Sequence, residues 1–449
     1  MIDQSFSAKN FRMIYDLDRK NKGTIEINHF PKAYNIRKKI TRLKSYVNWL
    51  SARNRRGQLS KENLEEKKEK INGHIKIRKE QYNSEINEKL KIISNNVSVK
   101  GYTLPLMLLP KQVKSKNVYS IGNQVEALFV SIQIKLILSS LFCIKTNNRD
   151  LIISRLSALA KEMSPKYIIR ADVESFYESI NHKVLLDILH SSPKLSVPPR
   201  RVITQLIRKY QSLTGLDKGL PRGVGISAYL SELYMSVVDD KIKSLSDVTY
   251  YERYVDDIII IFSPSKEKNT NAYLNHITNI IKERGLSLNN KTKEIDLLIQ
   301  ANKDFEYLGY KFRLASGRCD IKMSSNKTLK IRDRIDKSFN EYNQNVKKTP
   351  KKAIKIFLLR IKFLTGNTRL YNSKSKAFVG IYFSNRFITD TSDLNGLDSY
   401  LSHKASGLQD QKLRKRISKF SFKEGFENKI FRKFTFKDFS EISKGWSNV

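Results

Sequence analysis

Apolar and polar positions change their spacing along the chain, and these changes divide it into three stretches. Up to about residue 100, apolar residues recur at helical spacing in a basic background, which predicts long helices. Between residues 165 and 315, short apolar runs alternate with amphipathic segments, as in strands interleaved with helices. After about residue 320 the basic, helical pattern returns with aromatic interruptions such as "VGIYFSNRF". The sequence therefore predicts an α+β fold.

The middle stretch contains the most distinct elements. We expect a strand at "KYIIRADV", helices at "SFYESINHKVLLDIL" and "GISAYLSELYMSVVDDKI", and two strands joined by a turn at "VTYYERYVDDIIIIF". Ser175 with Glu178 three residues later has the signature of a capping box, so the first helix should begin there. The four consecutive isoleucines of the last segment predict a strand that is buried on both faces.

The charge balance narrows the class of partner. The 449 residues include 84 Lys and Arg against 44 Asp and Glu, which gives a net charge of +40. Such an excess attracts polyanions, of which nucleic acid is the commonest large one in cells. Apolar runs such as "LILSSLFCI" are too short to span a bilayer, and the N-terminal segment carries acids where a signal peptide is apolar. We expect a cytoplasmic, nucleic-acid-binding protein of two or three structural units without a membrane segment.

The types of residue available as metal ligands limit which metals the protein could bind. The chain has two cysteines, Cys143 and Cys319, without a C-x-x-C pair, and six scattered histidines. A disulfide framework and a zinc site both need residues that this sequence lacks. Any bound metal must be held by oxygen ligands, which favours Mg²⁺ or Mn²⁺.

Three aspartates stand at the ends of predicted strands. Asp172 follows an apolar strand and precedes a helix, and Asp256 and Asp257 lie between a tyrosine-rich run and the isoleucines. Each has an ordinary interpretation, since Asp is common at helix N-termini and in turns. Carboxylates at the edge of a buried strand, however, repel one another unless a cation lies between them. We interpret them as ligands of two metal ions about 4 Å apart that promote in-line phosphoryl transfer.

Four motifs, in order along the chain, resemble those of reverse transcriptases. "RADVESFYESI" is similar to the motif that carries the first catalytic aspartate of that family, and "RYVDDI" resembles the Y-x-D-D box. "GLPRGVGISAYLSEL" resembles the loop and helix that support the incoming nucleotide, and "FEYLGYKF" resembles the hairpin that grips the primer end. The resemblance covers residues 100 to 320 and implies a right-hand polymerase with fingers, an antiparallel-sheet palm and a helical thumb.

The resemblance also implies an order of domains. Residues 1–100 would be a basic helical extension of the fingers, 101–164 the fingers, 165–318 the palm with the catalytic carboxylates, and 319–449 the helical thumb and C-terminal region. The basic extension and the C-terminal segments "FVGIYFSNRFIT" and "LDSYL" resemble the bacterial unknown-group and abortive-infection reverse transcriptases, which act in phage defence.

Individual roles follow from the resemblance. Asp172, Asp256 and Asp257 match the catalytic carboxylates, and the backbone carbonyl of Val173 is implied as a further metal ligand. Tyr177 matches the aromatic steric gate that excludes a ribose 2′-hydroxyl. The implied nucleotide-binding residues are Lys114, Lys116, Val173, Tyr177, Arg222 and Gly223, and the implied primer-gripping residues are Leu308, Gly309 and Tyr310. For each of the two lysines, a solvated surface position is the alternative in so lysine-rich a chain.

Arg222 departs from the pattern of many bacterial members, which have glutamine at this position of the loop. A charged, forked guanidinium cannot simply replace a neutral amide. Beside the nascent base pair, Arg222 would bias nucleotide choice and give a sequence-restricted or repetitive DNA. Turned outward, it would pair with a nearby acid. The sequence leaves both alternatives open.

The predicted function is Mg²⁺-dependent synthesis of cDNA from deoxynucleotides on an RNA template, with a dedicated noncoding RNA as the template that the defence families imply. A partner reverse transcriptase or a second copy of the chain is a further expected partner, and a tyrosine hydroxyl is a candidate primer. The alternative within enzymes is a retron-like or maturase-like reverse transcriptase. The alternative of another class is a catalytically silent RNA-binding scaffold, against which the three intact aspartates argue.

Overall fold

The structure is a computed structural model that describes residues 3–21, 23–113, 115–144, 148–162, 164, 166–264, 272–297, 303–315, 318–370 and 377–446. The chain divides into two compact units. The first unit comprises residues 1–146, 175–239 and 282–286, and the second comprises residues 147–174, 240–281 and 287–449.

The described residues contain both helices and strands. The helices are α1 (Ala8–Asn21), α2 (Thr24–His29), α3 (Pro31–Arg55), α4 (Lys61–Ser98), α5 (Val125–Leu141), α6 (Arg149–Lys161), α7 (Phe176–Ser179), α8 (His182–Ser191), α9 (Val197–Thr214), α10 (Gly225–Lys243), α11 (Ala272–Lys282), α12 (Ser325–Asn345), α13 (Pro350–Leu364), α14 (Ile381–Asn385), α15 (Ser392–Ser406), α16 (Gln411–Ile417), α17 (Phe422–Glu427) and α18 (Phe436–Lys444). The strands are β1 (Met107–Leu108), β2 (Tyr119–Ser120), β3 (Tyr167–Asp172), β4 (Val248–Tyr254), β5 (Asp257–Phe262), β6 (Lys293–Asp296), β7 (Lys303–Tyr307), β8 (Tyr310–Ala315), β9 (Arg318–Met323), β10 (Asn367–Arg369) and β11 (Phe378–Gly380). The predicted α+β class with antiparallel sheets is confirmed.

A four-stranded antiparallel sheet with the order β4-β5-β3-β6 lies in the second unit. Strand β5 carries the isoleucine run, and Ile258 through Phe262 are all buried, as predicted for a strand covered on both faces. Ile259 and Ile261 belong to a core that also includes residues of α6, the three-stranded sheet β7-β8-β9 and α12 and α13. The sheet is therefore a rigid support for the residues at the ends of its strands.

The first unit is mainly helical, as predicted for its N-terminal part. Helices α3 and α4 form an antiparallel hairpin, and Phe30 packs against Tyr15 and Phe129 with ring centroids 5.0 and 6.3 Å apart. Glu26 of α2 is buried and accepts a hydrogen bond from Tyr82 of α4. Aromatic packing and this buried carboxylate therefore hold the hairpin against the shorter helices.

One segment that was predicted to be a single helix forms two helices. The helix expected from residue 175 to 189 is two helices, α7 and α8, and Ser175 has a left-handed φ of 43° and makes no side-chain cap. The capping box is therefore absent, because an N-cap residue needs an extended backbone. The carbonyls of Tyr177 and Ile180 accept from the amides of Leu220 and Gly219 at 2.8 and 2.7 Å, which interrupts the helical ladder through a contact distant in sequence.

None of the helices in the described part of the chain combines the length and apolar character that a bilayer crossing requires.

Candidate active site

The three aspartates lie at one end of the central strands. Asp172 is the last residue of β3 and Asp257 the first of β5, and they are directly opposite each other in the antiparallel ladder. Asp256 lies in the two-residue connection between β4 and β5, and its backbone carbonyl accepts from the amide of Val173 at 3.1 Å. Residues 84 or more positions apart in the sequence therefore meet at one edge, as expected of a catalytic carboxylate group.

The turn that carries Asp256 has a strained backbone. Val255 has a φ of 61°, which is unfavourable for a β-branched residue and costs on the order of 1–2 kcal/mol. The side chain of Arg253 donates to the Val255 carbonyl at 2.9 Å, and the β4–β5 pairing fixes both ends of the turn. Surrounding structure thus holds the two adjacent aspartates in an arrangement that a free turn would avoid.

Fixed cations and an amide contact two of the carboxylates. The side-chain amide of Asn289 donates to Asp172, Lys291 Nζ lies 3.9 Å from Asp172 Oδ2, and Arg170 Nη2 lies 3.4 Å from Asp257 Oδ1. Burial raises the pKa of Asp257, the charges of Asp172 and Asp256 raise it further, and Arg170 opposes them. Negative charge is therefore concentrated at a partly buried edge, and Arg170 and Lys291 offset part of it.

The donor set has the right chemistry for Mg²⁺ or Mn²⁺, because carboxylate and carbonyl oxygens are the ligands these ions prefer. Within the described residues, however, no group of three Asp, Glu, His or Cys side chains is spaced to hold a metal ion. Asp172 faces Asn289 and Asp257 faces Arg170 instead. Ligation therefore requires these two side chains to turn from their present partners.

The predicted nucleotide-binding residues Lys116, Tyr177, Arg222 and Gly223 lie in the first unit, whereas Val173 belongs to the second. Arg222 donates to both carboxylate oxygens of Glu178, at 2.5 Å from Nε and 2.9 Å from Nη2, and its guanidinium carbon is 5.2 Å from the centre of the Tyr177 ring. Lys116 Nζ lies 3.9 Å from Glu178 Oε2. Lys114 lies outside the described residues. Of the two alternatives for Arg222, the structure has the pairing with an acid.

Glu178 is the centre of this cluster. Burial alone would raise its pKa, but the hydrogen bonds and charge of Arg222, with a contribution from Lys116, lower it overall. The carboxylate is therefore held ionised between two cations. Tyr177 is partly exposed beside them, whereas the neighbouring Phe176 is 2% exposed.

Gly223 anchors the loop that carries Arg222. Its φ is 90°, and a Cβ atom at this position would lie 2.6 Å from the carbonyl oxygen of Tyr119. The amide of Tyr119 in turn donates to the Arg222 carbonyl at 2.7 Å. Only glycine allows this close approach of the loop to β2.

The predicted primer-gripping residues form the tight turn between β7 and β8. Leu308 and Gly309 both have positive φ, 44° and 76°, which is the requirement of a type I′ hairpin turn. Arg149 donates to the Leu308 carbonyl at 3.1 Å from Nε, and Lys327 Nζ lies 4.3 Å from the centre of the Tyr310 ring. Tyr310 is fully buried, so it supports the hairpin from below while the cations flank its tip.

Several residues of these sites escaped the sequence analysis. Arg170 had a usable signal, since it lies two positions before Asp172 on one face of β3 and diagonal to Asp257 across the ladder. Asn289 and Lys327 had none, because the acceptors of their side-chain hydrogen bonds lie 117 residues away for Asn289 and 57 and 58 residues away for Lys327. Their roles depend on tertiary contacts that a local pattern does not encode.

The chain was compared with known proteins. No curated protein matches it in sequence. Similar solved structures include apo telomerase from Candida tropicalis, with 15% identity, coverage of 76% of this chain and 61% of that chain, and a TM-score of 0.40. Telomerase from Candida albicans in complex with a TWJ fragment of telomeric RNA has 14% identity, coverage of 77% and 62%, and a TM-score of 0.34. The chain spans about three fifths of the length of these telomerase chains.

A family described as reverse transcriptase (RNA-dependent DNA polymerase) matches residues 113–312. This region contains all four motifs: the strand ending at Asp172, the loop at Arg222, the turn at Asp256 and the hairpin at Gly309. Residues 113–312 of the chain are therefore similar to the reverse transcriptase family of RNA-dependent DNA polymerases.

Proposed function

We propose that the chain copies RNA into DNA by nucleotidyl transfer at Asp172, Asp256 and Asp257. The observation that carries this proposal is the cross-strand pairing of Asp172 with Asp257 and the position of Asp256 in the adjoining turn. A scaffold protein has no need of three carboxylates held at one edge against their mutual repulsion. The match of residues 113–312 to the reverse transcriptase family and this edge together favour catalysis over a silent RNA-binding role.

The three carboxylates and the carbonyl of Val173 would hold Mg²⁺, with Mn²⁺ as the alternative. Two bound ions would supply activation of the primer 3′-hydroxyl and stabilisation of the leaving pyrophosphate. The protein's own part is to fix the carboxylates: the β3–β5 ladder sets the separation of Asp172 and Asp257, and the strained turn presents Asp256. Arg170 and Lys291 offset part of the negative charge of Asp257 and Asp172 before ligation.

The cluster around Glu178 supports a role in nucleotide binding. Lys116 and Arg222 supply positive charge suited to a triphosphate, and the Tyr177 ring would exclude a ribose 2′-hydroxyl. Glu178 accepts two hydrogen bonds from Arg222. Arg222 could therefore hydrogen-bond to a base edge only if this ion pair opened. The hypothesis that Arg222 restricts the product to repetitive DNA is tested by sequencing the DNA made by wild type and by Arg222→Gln. If both make the same DNA of mixed sequence, the hypothesis is excluded.

The biological setting is proposed from the resemblance to unknown-group and abortive-infection reverse transcriptases. In that setting the template is a dedicated noncoding RNA, the product is a cDNA made from deoxynucleotides, and the role is antiphage defence. The same resemblance allows a partner reverse transcriptase or a second copy of the chain in the active assembly. Protection of host cells against a phage panel, lost in the aspartate variant described next, tests this setting.

The test of catalysis is the double variant Asp256→Asn, Asp257→Asn. We expect deoxynucleotide incorporation on a primed RNA template to fall by about a thousandfold or more, because the metal ligands lose their charge. The strands remain, so melting temperature and RNA affinity should change little. Asp239 and Asp240 of α10 are also adjacent aspartates, and their double Asn variant is the matched control. Substantial synthesis by a folded Asp256, Asp257 variant would rule out the assignment.

A further inference from the structure

Helix α3 is basic along its whole length, whereas its partner α4 is not. The 25 residues of α3 include eight Lys or Arg and no Asp or Glu. The 38 residues of α4 include nine basic and seven acidic ones. Interspersed charge is usual for a solvated helix surface, so α4 is ordinary. The single sign of charge on α3 indicates a partner of opposite charge.

Five residues of α3 share one face of the helix. This set, the α3 stripe, consists of Lys38, Arg42, Tyr46, Trp49 and Arg53. Their spacings of four, four, three and four residues place them within one face at 3.6 residues per turn. The buried residues Ala33 and Ile40 lie on the opposite side of the helix and buried Leu50 lies at the edge of the stripe, whereas the first four residues of the stripe are exposed. The α3 stripe is therefore not the face that packs against the rest of the unit.

The two aromatic rings of the α3 stripe are stacked on each other in solvent. The ring centroids of Tyr46 and Trp49 are 5.4 Å apart and the planes differ by 17°, although the residues remain 47% and 49% exposed. The guanidinium carbon of Arg53 lies 5.1 Å from the centre of the Trp49 ring. Single exposed aromatics are common, but a stacked pair continued by a guanidinium offers an extended flat surface to another π system.

The cations on the N-terminal side of this pair are available to a ligand. Within the described part of the chain, no carboxylate lies within ion-pair distance of Lys38 or Arg42, and the ion pair that α3 does make joins Arg37 to Glu26 at 2.7 Å. Lys38 contacts the Tyr34 ring, with Nζ 4.5 Å from its centre. Both Lys38 and Arg42 are exposed. Their charge is thus uncompensated by the protein.

We propose that the α3 stripe binds an unpaired nucleic-acid strand, whose bases stack on Trp49 and Tyr46 and whose phosphates contact Lys38, Arg42 and Arg53. Alternating cations and aromatic rings are the combination by which proteins hold single strands. Bases in a duplex are already stacked and paired, so the exposed rings favour an unpaired segment. The 16 residues from Lys38 to Arg53 extend over about 22 Å of helix, which is enough for several stacked nucleotides.

This surface lies outside residues 113–312, which match the polymerase family, and binding there requires none of the proposed catalytic residues. Two strands have the required chemistry: an unpaired part of the RNA, and the newly made DNA. The test therefore uses both, as labelled single strands of the same sequence, together with the corresponding duplex, and the full-length chain.

The first comparison removes the rings. We expect Tyr46→Ser, Trp49→Ser to weaken single-strand binding by about tenfold or more, because each base–ring stack is lost, while Tyr46→Phe, Trp49→Phe retains the affinity. Photocrosslinking of 5-iodouridine strands to the wild type should map to Tyr46 or Trp49. Helical content and melting temperature verify folding, which should persist because Tyr46 and Trp49 are 47% and 49% exposed.

The second comparison removes charge. Lys38→Gln, Arg42→Gln should make the slope of log affinity against log salt shallower by about 1.4, at about 0.7 per phosphate contact on a single strand. Lys76→Gln, Lys79→Gln, at exposed positions of α4, should leave the slope unchanged.

Comparison of the labelled RNA and DNA strands shows which of the two nucleic acids binds the α3 stripe. Loss of affinity for RNA alone assigns the α3 stripe to the RNA, and loss for DNA alone assigns it to the product. Unchanged affinity of the Ser variant for both strands, loss for the duplex alone, or crosslinks that map only elsewhere would overturn the proposal.

Discussion

Single residues set the selectivity that we expect of the nucleotide cluster. Tyr177 is partly exposed and contacts Arg222, which the carboxylate of Glu178 holds in place. A ring fixed on one side by a guanidinium cannot move aside for an additional hydroxyl. The selectivity should therefore depend on the size of the ring rather than on its hydroxyl group.

Tyr177→Ala should raise ribonucleotide incorporation relative to deoxyribonucleotide incorporation by about tenfold or more, because a steric exclusion worth more than about 1.4 kcal/mol is removed. Total activity should fall modestly. Tyr177→Phe retains the ring and is the matched control. The ratio of kcat/KM for a matched ribo- and deoxyribonucleotide measures the effect, and an unchanged ratio in Tyr177→Ala would assign the residue to packing alone.

Lys327 is a single residue whose charge state responds to pH near neutrality. Its Nζ donates to the Ser384 carbonyl at 2.8 Å and to Asn385 Oδ1 at 2.9 Å. Burial, followed by the charge of Arg149, lowers the pKa of Lys327 to about 7. In the unfolded chain a lysine has a pKa of about 10.4, so between about pH 7 and 10 the unfolded state binds more protons than the folded state.

This difference predicts that Lys327 destabilises the fold below about pH 7 and that the penalty is relieved as pH rises towards 10. The unfolding free energy of the wild type should therefore increase relative to that of Lys327→Met, by at most about 1.4 kcal/mol per pH unit and by less because the side chain is only partly buried. Chemical denaturation at several pH values measures it. For Lys330→Met, at an exposed position of the same helix, the difference in unfolding free energy from the wild type should be the same at every pH. The same constant difference for Lys327→Met would contradict the prediction.

At the scale of elements, the sequence predicted what short-range patterns encode. The strands β3, β4 and β5 and helix α10 follow from periodicity and turn residues, and the hairpin that turns at Gly309 was expected from the resemblance to reverse transcriptases. The prediction of one continuous helix from residue 175 was wrong because the backbone amides of Gly219 and Leu220 donate hydrogen bonds to the carbonyls of residues 180 and 177. The meeting of Asp172 with Asp257 was expected, but the contacts of Asn289 and Arg170 with them depend on pairing between distant segments.

The loop of Gly223 shows how one position can hold an element in place. Gly223→Ala should disturb the contact with β2, because the new Cβ would lie 2.6 Å from the Tyr119 carbonyl and the backbone has a φ of 90°. Gly285 also has a positive φ, 68°, but nothing lies within 4 Å of a Cβ built there. Gly285→Ala therefore measures the cost of the left-handed backbone alone, about 1 kcal/mol.

We expect Gly223→Ala to lower the unfolding free energy by about 1–3 kcal/mol more than Gly285→Ala, because overpacking against backbone atoms adds to the strain. Nucleotide affinity should fall in Gly223→Ala alone, since Arg222 and its contact with Glu178 move with the loop. Urea denaturation and the KM for deoxynucleotides measure the two effects. Equal losses in both variants would show that the loop can shift without cost.

At the scale of the whole molecule, the net charge of +40 is neutralised unevenly along the chain. The described ion pairs neutralise part of it, as between Lys404 and Asp336 at 2.8 Å. Much of the remainder is on exposed helices such as α3, where acids are absent. Such unpaired charge raises the local concentration of phosphates and speeds encounter with a polyanion. Affinity for RNA should therefore be dominated by the release of counterions.

For the full-length chain, the logarithm of the RNA association constant should fall linearly with the logarithm of salt concentration. We expect a slope steeper than about −3, which corresponds to more than about four neutralised phosphates at about 0.7 each. Fluorescence anisotropy between low and physiological salt gives the slope. A peptide nucleic acid of the same base sequence lacks phosphates and should bind with little salt dependence, so it isolates the contribution of stacking and hydrogen bonds. A flat response with the RNA itself would show that the excess charge serves another partner, because a phosphate-lined path cannot bind without displacing ions.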